Sequence, residues 1–489
     1  MSARKRRRGP LHLGAFVLLA LAALAAAALV VAGDFGESGA ATASAAPGVP
    51  DLRPPQITVL HHSAGLAPGF IFVGAKDRSR DPGEQAGPLI VDDLGRPVWF
   101  RPLPPGLVAS DVRVQRYLDQ PVLTWWEGTT LGGAGHGHGE DLIADTSYHV
   151  LARVRAGHGY FADQHTFDIT PQGTALIEAY HQTRRNGRQV YDGIVQEIDI
   201  PSGRVLFEWH SLDHVPMRDS YVPPPRNPNV PYDYFHINSV GVAPDGNLLI
   251  SSRHTWTIYE VDRHTGRIVW RLGGKHSDFK LGPGARFAWQ HNPVPVGADE
   301  LRIFDNESNG RARQPVSRVI TLRLDYARRT ATLVNSVEHP LGLSAPSQGN
   351  SERMPNGDLF VGWGRLGRYS EFAPDGRLLL DAVFPPGYDT YRAYRFPWNA
   401  KPLTRPDVGA RRDGPDTTVD AFWNGATDVS RWRILAGPSP TSLDPVGSIQ
   451  WNGLDTTARV RTDAKWVAVA AEDAAGNTVG TSAPARVAD

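Results

Sequence analysis

The chain has 489 residues, with 51 basic and 51 acidic side chains in balance, 50 Gly, 40 Pro, 13 Trp and no cysteine. The charge balance excludes a nucleic-acid footprint, and the missing cysteine excludes disulfides, thiolate nucleophiles and cysteine metal sites. Abundant turn formers beside large aromatics predict an all-β chain of many short strands, long enough for two or three domains.

The first ten residues carry the basic cluster "RKRRR", and residues 11–33 form an apolar run, "LHLGAFVLLALAALAAAALVVAG". That run matches the roughly 20 residues of a membrane-spanning helix, and the basic cluster predicts that residues 1–10 stay in the cytoplasm. Everything after Gly33 is then expected outside, as a single-pass cell-membrane protein. If the segment is cleaved at the A-x-A site around Ala43 and Ala45, the protein is instead secreted. Residues 34–54, rich in Gly, Ala and Ser, read as a flexible linker.

From 55 to 402 the text repeats. An Asp-led turn running into an apolar strand recurs as "VDDLGRPVWF", "IADTSYHVLARV", "IDIPSGRVLFEW", "VDRHTGRIVWRL", "LRLDYARRTATLV" and "APDGRLLLDAVF". Its markers are Asp92, Asp145, Asp199, Asp262, Asp325 and Asp375, spaced 50–63 residues apart. A second hairpin before most markers ("PQGTALIEAY", "PDGNLLISSR", "PNGDLFVGWG") makes four short strands per unit. Six such units predict a six-bladed β-propeller, whose ring protects strand edges that an open meander would expose. Residues 417–489 have short alternating strands and polar turns, and predict a small fibronectin- or immunoglobulin-like β-sandwich acting as an accessory module.

A propeller's innermost strands converge on one channel, so the residues opening each blade's first strand are the candidate site. These openings supply His165, His236 with Asn238, His291 and Asn350, with His61 or His62 and Asp111 as weaker candidates in the first two blades. The second strands end on that face at Arg253 and His254, and at Trp363 and Arg365. Imidazoles that exchange protons beside guanidinium forks suit phosphate or sulfate chemistry. Three histidines could also hold a metal, but separation across the channel and a shortage of matching carboxylates argue for no metal and no cofactor. "GAGHGHGED", around His136 and His138, looks like a metal tract yet reads as a mobile Gly-rich loop at the channel mouth.

At these residues the sequence resembles the arylsulfotransferase family, the enzymes that work without phosphoadenosyl sulfate. The likeness runs through "DYFHINSV", "LLISSRHTWTIYEVDRHTGRIVWRLGG", "FAWQHNPVPV", "IFDNESNGRAR", "MPNGDLFVGWG" and "YRAYRFPW". It implies a six-bladed propeller moving a sulfuryl group from an aryl sulfate to a phenol through a sulfated histidine. By motif it implies His236 and His291 as channel histidines and Arg311 as the arginine that holds the sulfuryl group. The strand opening where relatives carry the sulfated histidine holds Asn350 here, and an amide forms no sulfo-intermediate. The nucleophile is therefore sought among His165, His236 and His291, with Arg253, Arg311, Asn238, Asn350, Arg365 and His254 as substrate-binding candidates. A non-catalytic propeller binding an anionic ligand or a cell-surface partner is the alternative.

Overall fold

The computed structural model describes residues 48–78, 85–131, 135–307 and 316–488. The apolar run at 11–33 and most of the linker lie outside them. Among the described residues no helix is long and apolar enough to cross a membrane.

Six antiparallel four-stranded units follow one another, and their innermost strands contact each other in a closed ring. Blade 2 is formed by Val108–Tyr117, Gln120–Leu131, His136–Ala144 and Val150–Val154. Blade 3 is formed by Ala162–Ile169, Thr174–Arg185, Arg188–Asp199 and Val205–His210. Blade 4 runs Ile237–Val242, Leu248–Ser252, Thr257–Val261 and Ile268–Gly273. Blade 5 runs His291–Pro295, Glu300–Asp305, Arg318–Asp325 and Thr330–Glu338, and blade 6 Asn350–Arg353, Leu359–Gly362, Arg368–Phe372 and Leu378–Val383.

Blade 1 is composite. Its strands Phe70–Asp77, Gly87–Val91 and Pro97–Phe100 take their innermost partner, Ala393–Phe396, from beyond blade 6, with Phe70 opposite Phe396 and Val73 opposite Ala393. The strand Thr58–His62 pairs instead with Leu378–Val383 as an outer edge of blade 6. His61 and His62 are therefore exposed on the rim, and the expectation that they open blade 1 is corrected.

Every Asp marker sits at the same place, the turn between the third and fourth strands of its blade. Each carboxylate accepts backbone N–H groups of its own turn, as Asp92 Oδ1 does from Leu94 (3.0 Å) and Arg96 (2.9 Å), and Asp262 Oδ1 from His264 (3.0 Å) and Thr265 (2.7 Å). This local capping is why Asp recurs there.

The strands read as near-continuous apolar runs because both faces of each sheet are covered. Successive side chains point to opposite faces, so Leu248 and Ile250 pack toward blade 3 while Leu249 packs toward blade 5. Six apolar clusters of this kind fill the six gaps between blades, including the gap between blades 6 and 1.

The C-terminal part consists of two antiparallel sheets, one of Asp407–Asp413, Asp416–Phe422 and Asp455–Val460, the other centred on Arg431–Ser439 and Trp466–Glu472. Both contribute to one apolar cluster around Trp432 and Val469. Its first strand starts at Asp407, ahead of the sequence boundary at 417. It is bonded to blade 1 through Gly425 N–H to the Val98 carbonyl (2.8 Å) and Leu454 N–H to the Pro97 carbonyl (2.7 Å).

Candidate functional site

The ring brings His165, His236, His254 and His291 together with residues that the sequence reading passed over. The His236 ring centroid lies 5.2 Å from His165, 4.6 Å from His254 and 5.1 Å from His136. Tyr391 stands 5.3 Å from His165 and 6.3 Å from His291, so the segment leading into the closing strand forms part of the centre.

His236 immediately precedes the inner strand of blade 4 and has φ 55°, a left-handed backbone uncommon outside glycine. Its Nδ1 donates to Asp233 Oδ2 at 2.5 Å, three residues upstream, and the ring is buried. Its Nε2 has no hydrogen-bond partner among the described residues. Burial, with His165 and His136 close by, holds its pKa well below the usual imidazole value, so the ring is neutral at pH 7. His165 is built alike: Nδ1 meets the Asp163 carboxylate two residues upstream, and its Nε2 is also without a partner among the described residues.

His291 differs. Its Nδ1 donates to Asn306 Oδ1 (2.6 Å) and its Nε2 accepts the Gln348 backbone N–H (3.1 Å). Both nitrogens are spent inside the fold. His254 is likewise used at both ends: Nδ1 donates to the Asp233 carbonyl (2.6 Å) and Nε2 accepts from Arg253 Nη1 (3.0 Å). Burial pushes its pKa down to about 3. Arg253 also donates to the Pro346 carbonyl (3.2 Å) and lies 4.7 Å over the Trp289 ring, a cation held by stacking. Burial lowers its pKa to about 10.

Asn238 and Asn350 act as clamps between blades. Asn238 Nδ2 donates to the Gln290 carbonyl (2.6 Å), at the mouth of blade 5. Asn350 donates to the Ala393 carbonyl (2.9 Å) and accepts the Ala393 N–H (3.0 Å), tying blade 6 to the closing strand. Each lies two residues after a left-handed residue, His236 (φ 55°) or Gln348 (φ 67°), and Trp289 (φ 59°) precedes His291 in the same way. Asn350 is thus the counterpart of Asn238, not of His236. Arg365 is exposed, in the short turn Gly364–Leu366. Arg311 lies outside the described residues.

His136 was missed as a site residue. Rather than belonging to a loop, it opens the strand His136–Ala144, is fully buried, and donates from Nε2 to Asp233 Oδ2 at 2.9 Å. The expected shortage of carboxylates is also corrected, since Asp163, Asp233 and Glu178 all lie against these imidazoles. The signal was local: "ADQHT" and "DYFH" each place an aspartate two or three residues before the histidine it anchors. Lys76, from blade 1, adds a buried ammonium 2.9 Å from Gln164 Oε1, its pKa lowered by burial to about 8. Asp111 is consumed elsewhere, accepting from Arg392 Nη1 (3.0 Å) and the Tyr394 hydroxyl (2.7 Å). Arg392 also donates to Thr166 Oγ1 (3.1 Å) and the Asn238 carbonyl (3.2 Å), so this ion pair braces the ring.

Residues 113–385, more than half of the chain, match the family described as Arylsulfotransferase (ASST). No curated protein matches the sequence. Among solved structures, a protein of unknown function from Bacteroides caccae is similar at 13% identity, covering 68% of this chain and 100% of that one, with a TM-score of 0.42. The periplasmic gluconolactonase of Pseudomonas aeruginosa is similar at 14% identity, covering 80% and 99%, with a TM-score of 0.36. A catalytically inactive virginiamycin B lyase of Staphylococcus aureus with quinupristin is similar at 10% identity, covering 76% and 96%, with a TM-score of 0.35.

Proposed function

The chain belongs to the arylsulfotransferase (ASST) family, and from that premise we propose that it moves a sulfuryl group from an aryl sulfate to a phenol through the central histidines. One observation carries the choice of nucleophile. His236 is anchored at Nδ1 by Asp233 and leaves Nε2 unengaged, the arrangement of a base-oriented nucleophile. In the first half-reaction the Nε2 lone pair attacks sulfur, the sulfur–oxygen bond to the aryl group breaks, and the phenolate departs. His165, the other histidine with a free Nε2, enters this step as the imidazolium paired with Asp163 and gives its Nε2 proton to that departing oxygen. In the second half the acceptor's phenolic oxygen attacks the sulfohistidine, and its proton returns by the same route.

Arg253, fixed over Trp289, contributes positive charge for the sulfuryl oxygens. Arg311 keeps the sulfuryl-holding role that the family motif implies. His291 serves by positioning the strand mouth. The reading places the enzyme outside the cytoplasm, tethered by residues 11–33 or released after cleavage, with the C-terminal sheets as a fibronectin- or immunoglobulin-like accessory module.

The test is turnover of 4-nitrophenyl sulfate by the purified chain, with and without a phenol acceptor. Acceptor-dependent nitrophenol release, with the sulfate recovered on the acceptor, is expected. Release without acceptor would make the protein a sulfatase, and no release across aryl sulfates and pH would overturn the reading.

A further inference from the structure

Blade 3 holds a buried carboxylate, Glu178, that its protein neighbours satisfy poorly. Glu178 is fully buried, and apart from the nearby Thr166 hydroxyl its carboxylate makes no well-formed hydrogen bond among the described residues. Its Oε2 lies 4.0 Å from His165 Nδ1, and Asp163 Oδ1 meets that same nitrogen. One ligand atom from each of Asp163, His165 and Glu178 falls within 4.8 Å of the others, and all three residues are buried. Asp141, also fully buried with both oxygens unpartnered, is a further carboxylate of blade 2.

An unpaired carboxylate away from water costs several kcal/mol. A proton would remove the charge on Glu178 but not the problem, since a carboxylic acid still has an O–H to donate and a carbonyl to satisfy. A cation between Glu178 and Asp163 satisfies both. The neighbouring set His136, Asp233 and His236 is different, because two imidazole N–H groups already donate to its single carboxylate.

We propose that Asp163, His165 and Glu178 bind a divalent metal cation in the body of blade 3. Two carboxylates and one imidazole suit an ion such as Mn²⁺ or Zn²⁺. Binding to the imidazolium form replaces the proton on His165 Nδ1, which leaves to solvent, and keeps the Nε2 proton. Asp163 is already oriented for the role, because its second oxygen accepts the Gly137 N–H at 2.6 Å. The inference shares His165 with the proposed proton transfer, but its test requires no turnover.

The full chain, stripped with chelator, is titrated with Mn²⁺ and with Zn²⁺ by calorimetry, and its metal content as purified is measured by mass spectrometry. One equivalent is expected, with affinity falling on the order of 100-fold in Glu178→Gln. Electron spin-echo spectroscopy of the Mn²⁺-loaded wild-type chain should report one coordinated imidazole, a readout independent of whether the variant folds. Absence of stoichiometric binding to the wild-type chain would overturn the site. Wild-type affinity in a folded Glu178→Gln would also overturn it, as would two coordinated imidazoles, which place the ion at His136 and His236.

Discussion

Blades 4 and 5 each put a buried histidine at the mouth of the innermost strand, yet the two are held in opposite ways. His236 is gripped at one nitrogen by a carboxylate and offers the other, whereas His291 has both nitrogens bonded within the protein. On the proposed mechanism, burial alone therefore does not separate a reactive histidine from a structural one. What separates them is how many of the two ring nitrogens the fold consumes.

The sharpest way to break that comparison is His236→Ala. Turnover of 4-nitrophenyl sulfate should fall about 10³-fold, the scale of losing a positioned reactive group, with the far-ultraviolet circular dichroism unchanged. A variant that keeps wild-type kcat would move the nucleophile to His165. Next in size is Asn350→Leu, which strands both backbone groups of Ala393 and should cost about 3 kcal/mol in denaturant unfolding. If stability is unchanged, the clamp role is wrong.

His291→Ala comes third. It leaves Asn306 and the Gln348 N–H without their partner and should cost about 2 kcal/mol of stability, with kcat falling less than about tenfold. A loss of turnover as deep as that of His236→Ala, at full stability, would erase the distinction between the blades.

The smallest effect comes from a histidine on the rim. His210 donates to Asp192 (2.8 Å) and Glu208 (3.0 Å), and the Asp192 bond leads the influences raising its pKa to about 9. Its folded value is above the ordinary 6.5, so protonated His210 stabilises the fold fully below pH 6.5, and that contribution is lost as pH rises through 9. Being partly exposed, it is worth less than about 1 kcal/mol. His210→Gln should flatten the stability profile over that window, and an unchanged slope would refute the assignment.

The blade repeat was legible because every Asp marker caps its own turn, a local interaction that leaves a local signature. His165, His236, His254 and His291 were legible as a group because each stands near the start of a blade's first strand or the end of its second. His236 and His291 nevertheless do not share one register position. Their anchors were readable too, in "DQH" and "DYFH", but a short-range pairing becomes informative only once the ring shows which histidines converge. Glu178 and His136 were less accessible, since a lone acid in "TALIEAY" and a histidine among glycines carry no period. The partner of Phe70–Val73 could not be read at all, because pairing with Ala393–Phe396 joins residues from opposite ends of the repeat region. Asn350 gains its structural role from that partner, through its two bonds to Ala393.

The closing strand also fixes an order of assembly. Blade 1 is synthesised first but keeps an unpaired inner edge until Phe396 has been made, and Tyr391 and Arg392 reach the centre in the same step. A nascent or truncated chain ending before that point would have its histidines but neither the closing strand nor Tyr391 beside them. Completion of the ring is then also the step that sets Tyr391 against His165 and His291, so an unfinished molecule would lack that wall of the centre.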